Sequence, residues 1–355
     1  MATISFARGV PAPECLPVEA LADCARGALE RDGRTILSYG PSPGYAPLRE
    51  LLAEQHGVEP ARILLTNGSL QGLVLLAQLT AVGRRVLVEQ PTYDRPLKIL
   101  RELGAEIVPL PCDDDGLDPD ALERELEAGD PPAFLYLIPT FQNPSGRTLS
   151  LERRRRVVEL ARKHDLLVLE DDPYGLVRFE GEPLPSLFEL SGRETAYSSS
   201  FSKTISPGLR VGWFVLPTEL AAQLEAAATS TYITPVLLGQ ATVHEFLSRG
   251  LFEPNLERVR ELLRVRRDAM LTALARELPD AQPTRPAGGY FTWLELHGVD
   301  AGELLPRAEE AGVTFVKGAD FGGGPESLRL AYSFVSPDEI AAGVGRLAAA
   351  LPVAA

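Results

Sequence analysis

Ser198-Ser-Ser-Phe-Ser-Lys203-Thr-Ile-Ser-Pro-Gly-Leu-Arg210 places one lysine among small hydroxyl residues, with an arginine seven positions later. A lysine amine forms a Schiff base with an aldehyde, serine hydroxyls donate to phosphate oxygens, and a guanidinium grips phosphate through two parallel bonds. Together these groups suit a covalently held, phosphorylated cofactor. The flanks put the segment in a structured interior between two elements. Phe201 stands beside the lysine, and the apolar run Val211-Gly-Trp-Phe-Val-Leu216 follows the arginine.

Outward from this segment, residues 45–230 alternate short β-rich runs with longer amphipathic stretches. The runs are Ile63–Thr66, Val86–Glu89, Glu106–Leu110, Phe134–Ile138, Leu166–Leu169, Ala196–Ser198 and Val211–Val215. Several are apolar at consecutive positions, as expected of strands covered on both faces. Helices are predicted around 69–82, 92–103, 118–128 and 150–164. The pattern reads as a large α/β domain built on a mainly parallel, seven-stranded sheet. After Thr234-Pro235 the chain reads as helical to about residue 278, then gives strands at Tyr290–Leu296, Val313–Val316 and Leu328–Tyr332. This predicts a smaller C-terminal α+β domain. The expected division is 1–38 for an N-terminal arm and part of the small domain, 39–234 for the large cofactor-binding domain, and 235–355 for the small domain. Val10-Pro-Ala-Pro13 is expected to form an extended arm.

Functional side chains of an open parallel sheet gather beyond the carboxyl ends of its strands. Ile63–Thr66 leads into Asn67-Gly-Ser-Leu-Gln-Gly72, a turn opening a helix whose free amides bind phosphate oxygens. Val86–Glu89 leads into Gln90-Pro-Thr-Tyr93, which offers a ring to stack on a flat cofactor. Phe134–Ile138 leads into Pro139-Thr-Phe-Gln-Asn143-Pro144, where a side-chain amide is placed to hold a cofactor oxygen. Taken singly, such turns and tyrosines are ordinary helix starts and core packing; their company at successive strand ends gives them meaning. Leu166–Leu169 leads into Glu170-Asp171-Asp172-Pro173-Tyr174. Strand alternation turns neighbouring carboxylates to opposite faces, and no second acidic cluster stands at another strand end, so a magnesium site is disfavoured. One inward acid remains, with Asp171 facing a pyridine nitrogen and Tyr174 the phenolic oxygen. An ion pair at about 4 Å and an effective dielectric of 20 is worth roughly 4 kcal/mol, about three pK units, enough to keep such a ring protonated.

The totals narrow the classes. At 355 residues the chain suggests two domains. Its net charge of −14 opposes a nucleic-acid or anionic-membrane partner. Cys15, Cys24 and Cys112 are odd in number and irregular in spacing, which supports neither disulfides nor a metal site and fits a reducing cytoplasm. Met1–Arg8 does not read as a signal peptide, and no apolar run approaches the ~20 residues of a membrane span. Several features read as decoys. Gly343-Val-Gly-Arg-Leu-Ala348 resembles a dinucleotide fragment inside a helix, Arg153–Arg156 a solvated basic face, and Gly322-Gly-Gly324 a mobile loop. The four histidines lack ligand spacing and read as structural.

With these residues in place, the chain resembles the fold type I pyridoxal-phosphate aminotransferases. Within them it is similar to the branch of 2-aminoadipate (LysN-like) aminotransferases and the catalytic domains of MocR-type regulators. The motifs are Phe6–Pro13, Tyr39-Gly-Pro-Ser-Pro-Gly-Tyr-Ala-Pro-Leu-Arg49, Tyr136–Gly146, Ser200-Phe-Ser-Lys203, Pro286-Ala-Gly-Gly-Tyr-Phe-Thr-Trp293 and Ser327–Ser333.

The resemblance implies that Lys203 carries the Schiff base of pyridoxal 5'-phosphate. Asp171 would pair with the ring nitrogen, Asn143 and Tyr174 would contact the ring oxygen, and Tyr93 would stack on the ring. Ser69, Leu70, Ser200, Ser202 and Arg210 would hold the phosphate, with Tyr39 reaching over from the second subunit of a homodimer. Arg329 matches the arginine that binds the substrate α-carboxylate. The family start has two glycines where this chain has Arg8 and Gly9, which sets a guanidinium near the substrate entrance. Leu70 replaces the usual glutamine, and the short recognition helix at the N-terminus of LysN-like enzymes has no counterpart, nor has the winged helix of the regulators. The expected reaction is transamination from a 2-aminoadipate-, glutamate-, aromatic- or leucine-like amino acid to a 2-oxo acid such as 2-oxoglutarate. A β-lyase or decarboxylase reaction with the same cofactor, or a non-catalytic ligand sensor, stands as the alternative.

Overall fold

The computed structural model describes residues 3–352. A first short strand, β1, covers Ile4–Ser5. The central sheet is made from β2 (Ile63–Thr66), β3 (Arg85–Gln90), β4 (Glu106–Asp113), β5 (Gly116–Leu117), β6 (Phe134–Leu137), β7 (Val168–Asp171), β8 (Ala196–Ser200) and β9 (Gly212–Val215). Its order is β2-β9-β8-β7-β6-β3-β4-β5. The pairs along β4-β3-β6-β7-β8 are parallel, while β9 runs antiparallel to both β8 and β2. β2, β6 and β9 are buried along their whole length, because helices cover both faces.

All seven predicted strands are present. β5 is an addition of two residues, folded back on the end of β4 so that Cys112 pairs with Leu117. β7 begins two residues later than the apolar run suggests. Asp165 turns the chain at φ 50°, and the Leu166 amide donates to Ala161 O of the preceding helix, so extended backbone starts only at Val168. Asp171 is therefore the last residue of a strand, paired with Ser198.

The four predicted helices lie at Ser69–Thr80, Asp94–Glu102, Pro119–Ala128 and Leu151–Lys163. Ser150 caps the last of these by accepting from the Arg153 amide. Four more helices, Val18–Ile36, Ala46–His56, Leu187–Leu190 and Thr218–Thr231, escaped the sequence reading. The first buries only Cys24, Ala28 and Ile36, against helix Leu237–Ser248, and so carries a thin apolar stripe.

In the C-terminal part, β10 (Gln282–Pro283), β11 (Phe291–Glu295), β13 (Val316–Lys317) and β14 (Ser327–Ala331) form an antiparallel sheet in the order β10-β11-β14-β13. β12 (Val313–Thr314) instead pairs in parallel with β1. The single strand expected at 313–316 thus divides at buried Phe315 and serves two sheets. The N-terminal segment is not a free arm. Phe6 and Ala12 are fully buried, Ala331 donates to Phe6 O, and Pro13–Cys15 is a turn of 3-10 helix. Gly343 and Gly345 lie within helix Pro337–Ala350. No helix among the described residues is long and apolar enough to cross a membrane.

The basic run corrects one expectation. Arg153 and Arg156 pair with Asp113 and Glu123, but Arg154 is 1% exposed. Its guanidinium donates to Leu149 O, Pro139 O, Pro185 O and Thr140 Oγ1. Helical periodicity turns one residue of the run inward, where it binds the turn beyond β6. Gly322–Gly324 is likewise held: Gln90 Nε2 donates to Gly322 O at 2.9 Å.

Candidate active site

Chain order reverses between β3 and β6, because β3 is followed on one side by β4 and flanked on the other by β6. In an open parallel sheet this switch point opens a crevice beyond the carboxyl ends. A cavity of about 570 Å³ lies there. Tyr93 comes from the end of β3, Asn143 from beyond β6, Asp171 and Tyr174 from β7, Ser200 to Lys203 from β8, and Ser69 and Leu70 from the helix after β2. Arg210 stands two residues before antiparallel β9, so it arrives at the same edge.

The turn carrying Lys203 is fastened from both sides. Phe201 donates its amide to Val211 O and stacks on Trp213, with ring centroids 4.7 Å apart. Asn255 Nδ2 and Tyr290 OH donate to Thr204 O and Lys203 O. The amine Nζ donates to Gly9 O at 2.8 Å. Burial, reinforced by the cations Arg329 and Arg210, pulls its pKa from 10.5 down to about 8. Roughly a tenth of it is therefore unprotonated and nucleophilic at pH 7, against less than a thousandth at the ordinary lysine value.

Asp171 Oδ2 accepts from Tyr136 OH at 2.8 Å, while Oδ1 is buried with no partner. Burial first, then the Asp172 charge, push this carboxyl up to about 7, against the hydrogen bonds from Tyr136 and Ser198. A cationic N–H at Oδ1 would satisfy the orphaned acceptor and reverse the effect of burial.

A phosphate cradle lies opposite. Ser69 and Leu70 open helix Ser69–Thr80, where no side chain caps the amides, and both residues line the cavity. A Cβ on Gly212 would stand 2.3 Å from Ser69 N, so only glycine lets β9 pass beneath the helix start. Arg210, at φ 54°, donates to Asn67 O at 3.0 Å, and the Ser202 amide donates to Ser200 Oγ. An orphaned buried carboxyl oxygen, a buried amine, exposed amide donors and an arginine form the donor set that pyridoxal 5'-phosphate requires.

Arg329, on β14, is 7% exposed and has no carboxylate partner among the described residues. Nη1 donates to Asn143 Oδ1 at 2.7 Å, Nη2 to Ala7 O at 2.9 Å, and Nε has no partner. The guanidinium lies over the rings of Phe291 and Phe321, 4.2 and 4.8 Å from their centroids. Burial lowers its pKa only to about 10, so it stays cationic. A buried cation without a counterion is poised for an incoming carboxylate.

All predicted site residues except Tyr39 and Arg8 line this cavity. Tyr39 is 83% exposed on this chain. Arg8 is exposed and lies 5.2 Å above the Phe334 ring, whereas neighbouring Gly9 faces the cavity. Sequence reasoning missed Tyr136, Ala7 and Phe321. Tyr136 had a usable signal, since alternation along β6 puts it on the face of Ile138; Ala7 and Phe321 had none.

The profile of aminotransferase class I and II matches residues 5–347. The chain is 43% identical to a 2-aminoadipate transaminase of Thermus thermophilus, over 98% of this chain and 90% of that protein. It is 35% identical to aromatic-amino-acid aminotransferase 1 of Thermococcus litoralis, over 97% and 87%. The crystal structure of the Thermus thermophilus α-aminoadipate aminotransferase LysN, complexed with N-(5'-phosphopyridoxyl)-L-leucine, superposes with a TM-score of 0.93 at 42% identity. The match covers 98% of this chain and 92% of that one. A cavity furnished for pyridoxal phosphate and a profile spanning nearly the whole chain lead to one conclusion: the chain belongs to the class I and II aminotransferases, pyridoxal-phosphate-dependent enzymes that transaminate amino acids.

Proposed function

We propose that this aminotransferase takes its amino group from an L-amino acid of the 2-aminoadipate, glutamate, aromatic or leucine type and gives it to 2-oxoglutarate. The observation that carries the reading is buried, acid-free Arg329 in the same cavity as the Lys203 amine, which suits a substrate bearing an α-carboxylate beside its amine. Apolar Val10, Phe291 and Phe321 line the space around it, while Asp94 and Arg95 bring charge to the same cavity. Such a wall accepts apolar side chains and a distal carboxylate alike.

Bound here, pyridoxal phosphate supplies an aldehyde for the amino group and a conjugated ring that draws off electrons when the substrate Cα–H bond breaks. Arg329 and Asn143 hold the α-carboxylate and orient that bond. Lys203 Nζ, poised near pH 8, would take the proton released from the substrate Cα and hold it for return. Asp171 Oδ1, unpartnered in the fold, would accept from the ring nitrogen and keep it cationic, while Tyr136 fixes the other carboxylate oxygen. Tyr174 and Asn143 would meet the phenolic oxygen, Tyr93 would cover the ring, and Ser69, Leu70, Ser200, Ser202 and Arg210 would anchor the phosphate. Gly9 shapes the substrate side and Arg8 stands at its rim.

The working unit is a cytoplasmic homodimer in which Tyr39 of each subunit completes the site of the other; its exposed ring supports that placement. Residues 39–234 form the large domain, 235–355 the small one, and 1–38 the arm that joins the latter. Assay of a panel of amino donors against 2-oxoglutarate tests the reading. Product 2-oxo acid from at least one of the four donor types is expected; release of ammonia or carbon dioxide in its place would overturn it.

A further inference from the structure

Glu89 is a buried carboxyl that the chemistry above does not use. It is the penultimate residue of β3 at 3% exposure, just before the loop to Tyr93, and does not line the active-site cavity. Its neighbours lie behind the switch point, where it shares a small pocket with Cys112, Gln142 and Ser145. Among the described residues no cation pairs with it, and burial pushes its pKa up to about 8. Burying such a group is costly unless its hydrogen bonds do something an apolar side chain could not.

Those bonds span the crevice. Oε2 accepts from the Ile138 amide at 2.8 Å, just beyond β6, and the Gln142 side chain lies beside the carboxyl in the same pocket. Gln142 Nε2 donates across to Pro91 O at 3.0 Å, in the loop that carries Tyr93. Gln142 Oε1 accepts from Ser145 Oγ at 2.5 Å, and Gly146 donates its amide to Gln142 O at 2.7 Å. Asn143 follows directly in this clasped turn, and its Oδ1 accepts from Arg329. One carboxyl therefore ties together the two strand ends from which the ring-stacking and ring-oxygen residues emerge.

We propose that Glu89 is a positioning residue. From behind the sheet it holds the Ile138 amide and backs the Gln142 side chain that bonds to Pro91, and so sets Asn143 and Tyr93 about the cofactor ring and Arg329 about the substrate carboxylate. A parallel sheet needs such a tie at its switch point, because β3 and β6 diverge there into separate loops with no further ladder bonds. The inference rests on the roles given above to Asn143 and Tyr93. Asn143→Ala serves as the reference, since a variant with unchanged donor KM and cofactor affinity would discredit those roles rather than Glu89.

The test uses holoenzyme of Glu89→Leu, Glu89→Gln and Gln142→Leu. Donor KM and kcat are measured with the dissociation constant of pyridoxal phosphate and the visible circular dichroism of the bound ring. In Glu89→Leu, donor KM and cofactor dissociation constant each rise about tenfold, the dichroism weakens, and kcat falls by less than KM rises. Glu89→Gln keeps an acceptor for Ile138 and a polar neighbour for Gln142, and stays within about twofold of the parent. Gln142→Leu reproduces the leucine variant, and the double variant is no worse than either single. The proposal fails if Glu89→Leu lowers only the melting temperature, if Glu89→Gln is equally impaired, or if the two losses add. Should Glu89→Leu not fold, Gln142→Leu decides by the same readouts.

Discussion

Replacing Lys203 with methionine should abolish turnover and, near neutral pH, make the cofactor-free protein more stable. In the cofactor-free fold the ammonium is buried, and its pKa falls from 10.5 to about 8. At 1.36 kcal/mol per pH unit that difference corresponds to roughly 3 kcal/mol of destabilisation, present in full below pH 8. The sign follows from proton uptake. Between pH 8 and 10.5 the unfolded chain holds the lysine proton and the folded chain does not, so the parent gains stability as pH rises through that window. Methionine has no such dependence. Losing the bond to Gly9 O returns about 1 kcal/mol, which leaves the variant ahead by roughly 2 kcal/mol at pH 7 and slightly behind above pH 10.5. For a chain of 355 residues 2 kcal/mol corresponds to about 3 °C in melting temperature. Paired calorimetry of the two cofactor-free proteins at pH 7, 8, 9 and 10 follows the difference. An advantage that stays constant over this range would refute the claim that burial of this amine sets its pKa.

Arg329→Ala should raise donor KM by one to two orders of magnitude, because a charged hydrogen bond to substrate is worth about 1.5–3 kcal/mol; an unchanged KM in steady-state kinetics would remove Arg329 from carboxylate binding. Gly212→Ala drives a methyl to 2.3 Å from Ser69 N and should weaken cofactor affinity at least tenfold while leaving secondary structure intact, read by equilibrium dialysis and far-ultraviolet circular dichroism. Arg154→Met leaves the carbonyls of Leu149 and Pro185 without this donor, takes one of two donors from Pro139 O, and should cost about 2–4 kcal/mol in denaturant titration, whereas Arg155→Met in the same run should be nearly neutral.

Which residues reach the crevice was legible because the signal is local. An apolar run of four or five residues gives the strand, and the first polar residues after it are delivered to the carboxyl edge, as for Tyr93, Asn143 and Asp171. The serine-flanked lysine announced its chemistry by side-chain type alone. Helix Val18–Ile36 stayed hidden for the converse reason, since it buries too few apolar residues to mark a face.

Other features were settled only in three dimensions. Lys203 Nζ meets the carbonyl of Gly9, 194 positions away, and Arg329 meets that of Ala7; a backbone oxygen carries no residue identity for a pattern to find. Arg154 reads as solvated in sequence, yet the turns around it present four acceptors that together make burial tolerable. Sheet-and-helix order and the set of reactive side chains are readable along the chain, since both follow from short-range periodicity and chemical type. Which of those side chains face one another with unpaired atoms is a matter of packing. The pKa values and the unsatisfied bonding positions at Asp171 and Arg329 arise from desolvation, and desolvation is a property of the packed whole.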